Sequence, residues 1–231
     1  MNRWKNDSEL FEWVKRELFT ALVGDVLDKL GFLHQFLSPQ LKPLDPAMVV
    51  IGRAMPVLEA DVFSEMDEGS QNPFMKKSFG LMFEALDSLK ANEVYICSGA
   101  SYKYALWGGL MSIRAKQLKA AGAVLNGFSR DTNQILELNF PTFSMGTYAQ
   151  DQGPRGKVID YGVSIEWDGI RINPGDIVFG DRDGVLIIPK EVEEEAFVKA
   201  MEKASGENRV LQALRDEGMS SVEAFNKFGI M

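Results

Sequence analysis

Apolar residues along this chain change period, and each change marks a new kind of element. Over the first 33 residues the spacing is helical: Leu10, Trp13 and Val14 share one face, and a second segment, residues 20–30, stops at Gly31. Prolines 39, 43 and 46 then punctuate a loop, and residues 48–58 form a largely apolar run that predicts a strand. Residues 61–77 are polar, contain Gly69 and Pro73, and read as a surface loop or lid. Met82, Ala85, Leu86 and Leu89 repeat at i, i+3, i+4 and i+7, the stripe of an amphipathic helix. Residues 93–97 follow as a buried strand. Leu106, Leu110 and Ile113 mark another helix, ending near Gly122, and residues 123–125 are a short strand. From Phe140 the pattern is mainly β, with short runs at 141–144, 157–161, 163–166, 169–172, 176–179 and 185–188. Asp168-Gly169 and Asp183-Gly184 are tight-turn signals. The tail returns to helix, with Phe197, Ala200, Met201 and Ala204 on one stripe and breaks expected at Gly206 and Gly218.

Alternating helix and strand predicts an α/β core of mixed or three-layer type. The expected division is a domain over residues 1–190, including the N-terminal helices, and a helical extension over 191–231. That extension needs an apolar partner on the same or a neighbouring subunit.

Composition narrows the chemistry more than the fold. The chain has 231 residues, a net charge of −8, one cysteine and one histidine. Disulfides within the chain and zinc sites of several Cys or His ligands are therefore impossible. His34 carries no triad signature nearby and reads as structural or exposed, while Cys97 reads as a small core residue. A metal would be held by carboxylates, carbonyls and water, which favours magnesium or manganese. The acidic charge, with Lys and Arg scattered, argues against nucleic-acid binding. No apolar run reaches the roughly 20 residues that span a bilayer. The N-terminus lacks the apolar stretch of a secretory signal, so the expected location is cytoplasmic.

Two segments could carry chemistry. In Tyr104-Ala-Leu-Trp-Gly-Gly-Leu110 a loop feeds a helix whose start holds Gly108 and Gly109, so exposed amides could receive an anion at close range. The same glycines could equally serve tight helix packing. Twenty residues separate Gly109 from Arg130-Asp131, which follows a strand and Gly127. Arg130 could grip a carboxylate with its planar fork, and Asp131 could hold a hard cation. Asp131-Thr-Asn-Gln134 also has the form of a helix capping box, and the two roles are compatible. Asp181 and Asp183 read as turn formers. Glu191, Glu193, Glu194 and Glu195 suit the positive end of a helix dipole on a solvated face. No dinucleotide or P-loop glycine fingerprint is present.

Taken in order, Ala105-Leu-Trp-Gly-Gly-Leu-Met-Ser112, Gly122-Ala-Val-Leu-Asn-Gly-Phe-Ser-Arg-Asp131, Phe140-Pro-Thr-Phe-Ser-Met-Gly146 and Pro174-Gly-Asp-Ile-Val-Phe-Gly-Asp-Arg-Asp-Gly-Val-Leu-Ile-Ile-Pro189 resemble the RraA-like family. Residues 20–28 and Ile51-Gly-Arg-Ala54 fit it as well, so the resemblance spans roughly 18–190. The family includes regulators of ribonuclease E and class II 4-hydroxy-4-methyl-2-oxoglutarate aldolases. The resemblance implies an αββα-type domain with a swivelling-domain core, assembled as trimers or hexamers with sites between subunits. It implies that Arg130 and the amides of Gly108, Gly109 and Leu110 hold the pyruvyl end of a small 2-oxo acid. It further implies that Asp131 binds Mg²⁺ or Mn²⁺, mostly through water, and that the reaction releases pyruvate by retro-aldol cleavage or oxaloacetate-type decarboxylation. Aldolase members carry a further acid at the position of Gly109 or three residues after Asp131. Here those positions are Gly109 and Gln134, and Glu137 or a neighbouring subunit's acid would have to substitute. The alternative is a non-catalytic regulator that binds a partner such as a ribonuclease.

Overall fold

A computed structural model describes residues 4–229, so the first three positions of the expected N-terminal helix lie outside the described residues. Helix α1 (Asp7–Glu17) starts at Asn6, whose side chain accepts the Glu9 amide, and α2 (Thr20–Lys29) follows. The start of α2 is held from far along the chain. Asp181 accepts both the amide and the hydroxyl of Thr20, at 2.8 and 2.7 Å, so this aspartate does more than form its own turn.

After β1 (Lys42–Pro43), the apolar run becomes β2 (Val50–Asp61), then come α3 (Met82–Ser88), β3 (Glu93–Ser98) and β4 (Ala105–Trp107). Next are α4 (Gly109–Gln117), β5 (Gly122–Leu125), β6 (Phe128–Ser129), α5 (Thr132–Leu138) and β7 (Thr142–Ser144). The β-rich part comprises β8 (Gly156–Tyr161), β9 (Ile165–Trp167), β10 (Ile170–Ile172), β11 (Ile177–Gly180) and β12 (Val185–Ile188). The chain closes on α6 (Glu193–Asp216) and α7 (Ser221–Phe228). No helix among the described residues is long and apolar enough to cross a membrane.

The main sheet runs β1-β7-β5-β3-β2-β11-β12, with β8 also paired to β2. Its centre is parallel (β2, β3, β5, β7), and β11, β12 and β8 add antiparallel. Strand β2 is long enough to serve two neighbours in turn on one edge: Val50–Arg53 pair with β11 and Val57–Asp61 with β8. Pro56, which has no N–H to give, falls in the gap between them. A bulge at Leu58/Glu59 re-aims the second half, and the sheet curls there.

Both faces of the sheet are covered, which explains the largely apolar runs. Tyr95, Cys97 and Leu125 face α3, α4, Trp107 and Phe140, whereas Val94, Ile96 and Val124 face Phe143, Ile165 and Trp167. A third cluster packs α1, α2 and α6 on Ile177, Phe179, Leu186 and Ile188. Arg53 bolts this layer to β2. It forms ion pairs with Asp7 at 2.7 Å and with Glu193, so Glu193 is bound to the sheet and not left to solvent. The guanidinium holds the Asp7 carboxyl below its ordinary range.

Three sequence expectations need correction. Leu106 belongs to β4, and the helix begins only at Gly109. The buried face of α4 is Gly109, Ser112 and Ala115, while Leu110 (78% exposed) and Ile113 point outward. Small residues let α4 lie close on Trp107 and leave its bulky residues outside. Gly206 does not break the tail: it is buried inside α6, which is continuous and packs on α2. The break comes at Gly218, in the left-handed region, before a capping box of Ser220 and Glu223 opens α7.

Candidate functional site

The pairing of β4 with β6 brings together the two segments singled out in the sequence. Ala105 lies opposite Phe128 and Trp107 opposite Ser129, and the Arg130 amide donates to Trp107 O at 2.9 Å. The next residues of each strand, Gly108-Gly109 and Arg130-Asp131, therefore emerge side by side. Trp107 steadies the turn into α4: its indole N–H donates to Ser112 Oγ at 2.7 Å, and that hydroxyl donates to Gly108 O at 3.0 Å.

Asp131 opens α5 as its N-cap position, but no capping box forms. Its φ of 58° is left-handed, and its side chain makes no cap bond. The carboxylate turns away from α5, and Oδ2 accepts the Gly109 amide at 3.1 Å, at the start of α4. Gln134 does not reach back either; its carboxamide lies against Gly109. Gly108 is needed for this approach, because a Cβ there would sit 2.7 Å from Asp131 Oδ2. Backbone held in a sparsely populated region at a cleft is an expected mark of a functional position.

The Leu110 and Met111 amides precede the first bond of α4, from the Ser112 amide to Gly108 O at 3.1 Å. Leu110 and Met111 line a cavity of about 270 Å³, together with Phe79, Met82, Phe83, Trp107, Gly108, Arg130, Asp131, Asp151 and Gln152. Its walls are largely apolar, and its polar groups converge at Arg130. A second, shallower hollow on the other side of Arg130 and Asp131 is bordered by Thr132, Thr147 and Tyr148. All five sequence-predicted site residues, Gly108, Gly109, Leu110, Arg130 and Asp131, thus fall in one place.

Sequence reasoning missed Asp151 and Gln152. Asp151 forms an ion pair with Arg130 at 2.8 Å. Gln152 donates to the buried Glu59 at 2.8 Å. Both sit in a loop without periodicity, so nothing in the pattern marked them. Glu137 is exposed and does not line the cavity; the further carboxylate beside Arg130 is Asp151. Among the described residues no three Asp, Glu, His or Cys side chains gather as a metal cluster. His34 is exposed and lies outside the cavity. Cys97 is buried, and burial pushes its thiol up, away from nucleophilic use.

The profile of the RraA-like family (Aldolase/RraA) matches residues 20–187. A protein of Halalkalibacterium halodurans provisionally named 4-hydroxy-4-methyl-2-oxoglutarate aldolase is 30% identical over 205 residues, 89% of each chain. Protein DlpA of Legionella pneumophila is 28% identical over 196 residues, which are 84% of this chain and 30% of DlpA, so the chain spans less than a third of that relative. Among solved structures, an uncharacterized protein of Pseudomonas syringae superposes with a TM-score of 0.83 at 23% identity, covering 99% of this chain and 98% of that one. Streptomyces coelicolor RraAS2, described as an unusual member of the RNase ES inhibitor RraA family, superposes with a TM-score of 0.73 at 22% identity, covering 89% and 97%. With the profile covering most of its length, the chain belongs to the RraA-like family.

Proposed function

We propose that this protein is a divalent-metal-dependent carbon–carbon lyase that releases pyruvate from a small 2-oxo acid. The observation that carries the reading is the placement of Asp131. A left-handed backbone and the bare Gly108 bring its carboxylate against the start of α4, next to Arg130, inside a cavity of small-molecule size. A cap alone would not need that arrangement.

The chain's own groups suggest a division of labour. Arg130 would bind the substrate carboxylate through its guanidinium fork, in exchange for or beside Asp151. The Leu110 and Met111 amides would face the 2-oxo group, where negative charge develops as the C–C electron pair flows toward the carbonyl. Phe79, Met82, Phe83 and Trp107 would exclude water from the resulting enolate. The donor set suits a hydrated hard cation. Asp131 commits one oxygen to Gly109 and keeps the other, Asp151 lines the same cavity, and magnesium commonly retains several waters on one or two carboxylates. Asp131 would hold Mg²⁺ or Mn²⁺, mostly through water, and the cation would supply Lewis-acid stabilisation of the enolate. A homotrimer or homohexamer is the assembly the family suggests.

One observation favours a second reading. The positions at which the family resemblance implies a further acid for an aldolase hold Gly109 and Gln134, in mutual contact. A weakened cation site would suit a regulator that binds a protein partner, in keeping with the RNase ES inhibitor family in which RraAS2 is placed. Pyruvate release from 4-hydroxy-4-methyl-2-oxoglutarate and oxaloacetate, with Mg²⁺, Mn²⁺ or EDTA, separates the two. Metal-dependent release by the wild type that disappears in Arg130→Ala is the expected result. Release no faster than with the metal alone, on both substrates, would refute the lyase.

A further inference from the structure

Behind the cavity lies a buried pair that the chemistry above leaves unused. Glu59 is 2% exposed and Gln152 4%. Gln152 Nε2 donates to Glu59 Oε2 at 2.8 Å, while Glu59 Oε1 is buried without a partner. No Lys or Arg among the described residues pairs with this carboxyl. A methionine or leucine would fill the space at less cost, since a buried acid with one hydrogen bond pays for desolvation without a charge partner. What Glu59 adds is orientation. Its oxygen fixes the rotation of the Gln152 amide, which lines the cavity beside Asp151.

A primary amide has two N–H donors and one carbonyl acceptor. One N–H is committed to Glu59, and the carbonyl oxygen takes no bond from any described residue. A donor and an acceptor on one immobilised group match a hydroxyl, which gives one hydrogen bond and takes others. They gain nothing from a methylene at the same place. We propose that Gln152, oriented by Glu59, is a specificity-determining residue that recognises the hydroxyl of a 4-hydroxy-2-oxo acid and favours it over a 2-oxo diacid without that group. The inference rests on the lyase reading and refines it.

The test compares kcat/KM for 4-hydroxy-4-methyl-2-oxoglutarate with the competitive inhibition constant of 2-oxoglutarate, which has a methylene at C4, in the wild type, Gln152→Met, Glu59→Gln and Glu59→Met. Gln152→Met should lose roughly 10- to 100-fold on the hydroxylated substrate, the worth of about one or two hydrogen bonds in a dry site, and change the inhibition constant of 2-oxoglutarate less than about threefold. Glu59→Gln keeps an acceptor for the Gln152 amide and should keep the preference. Glu59→Met should reproduce the Gln152→Met ratio. If the single apolar variants fail to fold, Glu59→Met/Gln152→Met removes both partners together, orphans neither, and carries the same expectation. An unchanged ratio, equal losses for both ligands, or a wild type that cleaves oxaloacetate but not the hydroxylated acid overturns this assignment and leaves the lyase standing. A wild type that cleaves neither overturns both.

Discussion

Replacing Glu59 with glutamine should make the protein more stable, and increasingly so as the pH rises from 5 to 8. Burial drives the Glu59 carboxyl up to about 8, opposed only by the hydrogen bond from Gln152. In the unfolded chain the same group ionises near 4.5. Between those values the folded state holds a proton that the unfolded state has released, so stability falls as pH rises. The slope is about 1.4 kcal/mol per pH unit, amounting to about 5 kcal/mol over the whole interval. Below the unfolded value, and again above about 8, the effect is flat. The groups facing Glu59 do not mimic this. Tyr95 and Cys97 on β3 and Tyr104 on β4's approach are all pushed upward by burial, and Tyr104 donates to Asp61 at 2.8 Å. Lys157, on the neighbouring β8, turns its ammonium to the carbonyls of Glu65 and Lys77. Urea unfolding of wild type and Glu59→Gln at pH 5, 6, 7 and 8 isolates the effect, because every other titrating group cancels in the difference. The advantage of Glu59→Gln should grow from about 0.7 kcal/mol at pH 5 to about 4–5 kcal/mol at pH 8, above any constant offset. A difference that stays constant within about 0.5 kcal/mol across that range would refute the argument.

Gly108→Ala tests the placement of Asp131 without straining the backbone, since φ at Gly108 is −153° and only the methyl at 2.7 Å from Oδ2 intrudes. It should cost about 10- to 100-fold in kcat/KM through misplacement of the carboxylate, with a melting temperature within a few degrees of wild type. Arg53→Ala should destabilise by about 2–4 kcal/mol in urea, because it frees Asp7 and Glu193 and unpins α1 and α6 from the sheet. The Asp7 share of stability is present above its ordinary carboxyl range and is lost as pH falls through its lowered folded value, so Arg53→Ala should flatten the acid limb of a pH–stability curve.

The parts of this fold that show in the sequence are those with periodicity. The stripe of Met82, Ala85 and Leu86 marks its helix, and the largely apolar run around Ile51 and Val57 marks a strand buried on both faces. Turn chemistry was equally legible at Asp168-Gly169, where both residues adopt positive φ. The errors came where tertiary contacts overrode local rules. Leu110 and Ile113 look like a core stripe, yet the core selected the small face of α4 because Trp107 and Tyr95 already fill the space beneath it. Asp131 to Gln134 fits a capping box in spacing, but the box requires an extended N-cap, whereas Asp131 is left-handed and its carboxylate accepts the Gly109 amide of another helix. Glu59, Asp151 and Gln152 act through contacts across about 90 positions or from aperiodic loops, so no window of sequence could join them.

Charge at the site bears on the choice between a lyase and a binding protein. Two carboxylates, Asp131 and Asp151, and one guanidinium, Arg130, line the cavity, so it carries one excess negative charge before a ligand arrives. A dianionic 2-oxo acid entering such a site would be repelled unless a divalent cation entered with it. The cation would change the local balance from one negative charge to one positive. Cation and acid should therefore bind with positive coupling, and thermodynamic linkage makes that coupling equal in both directions. Oxalate, a dianion shaped like the planar enolate, is a suitable probe. Calorimetric titration should show oxalate binding at least about 10-fold tighter with Mg²⁺ than with EDTA, a coupling of about 1.4 kcal/mol, and Mg²⁺ affinity rising by the same factor with oxalate present. Asp151→Asn removes the excess charge while preserving shape, so it should strengthen oxalate binding in EDTA and reduce the coupling. A regulator whose surface serves only a protein partner has no reason to couple the two ligands. Equal oxalate affinity with and without Mg²⁺ would therefore count against the lyase even if some pyruvate were released.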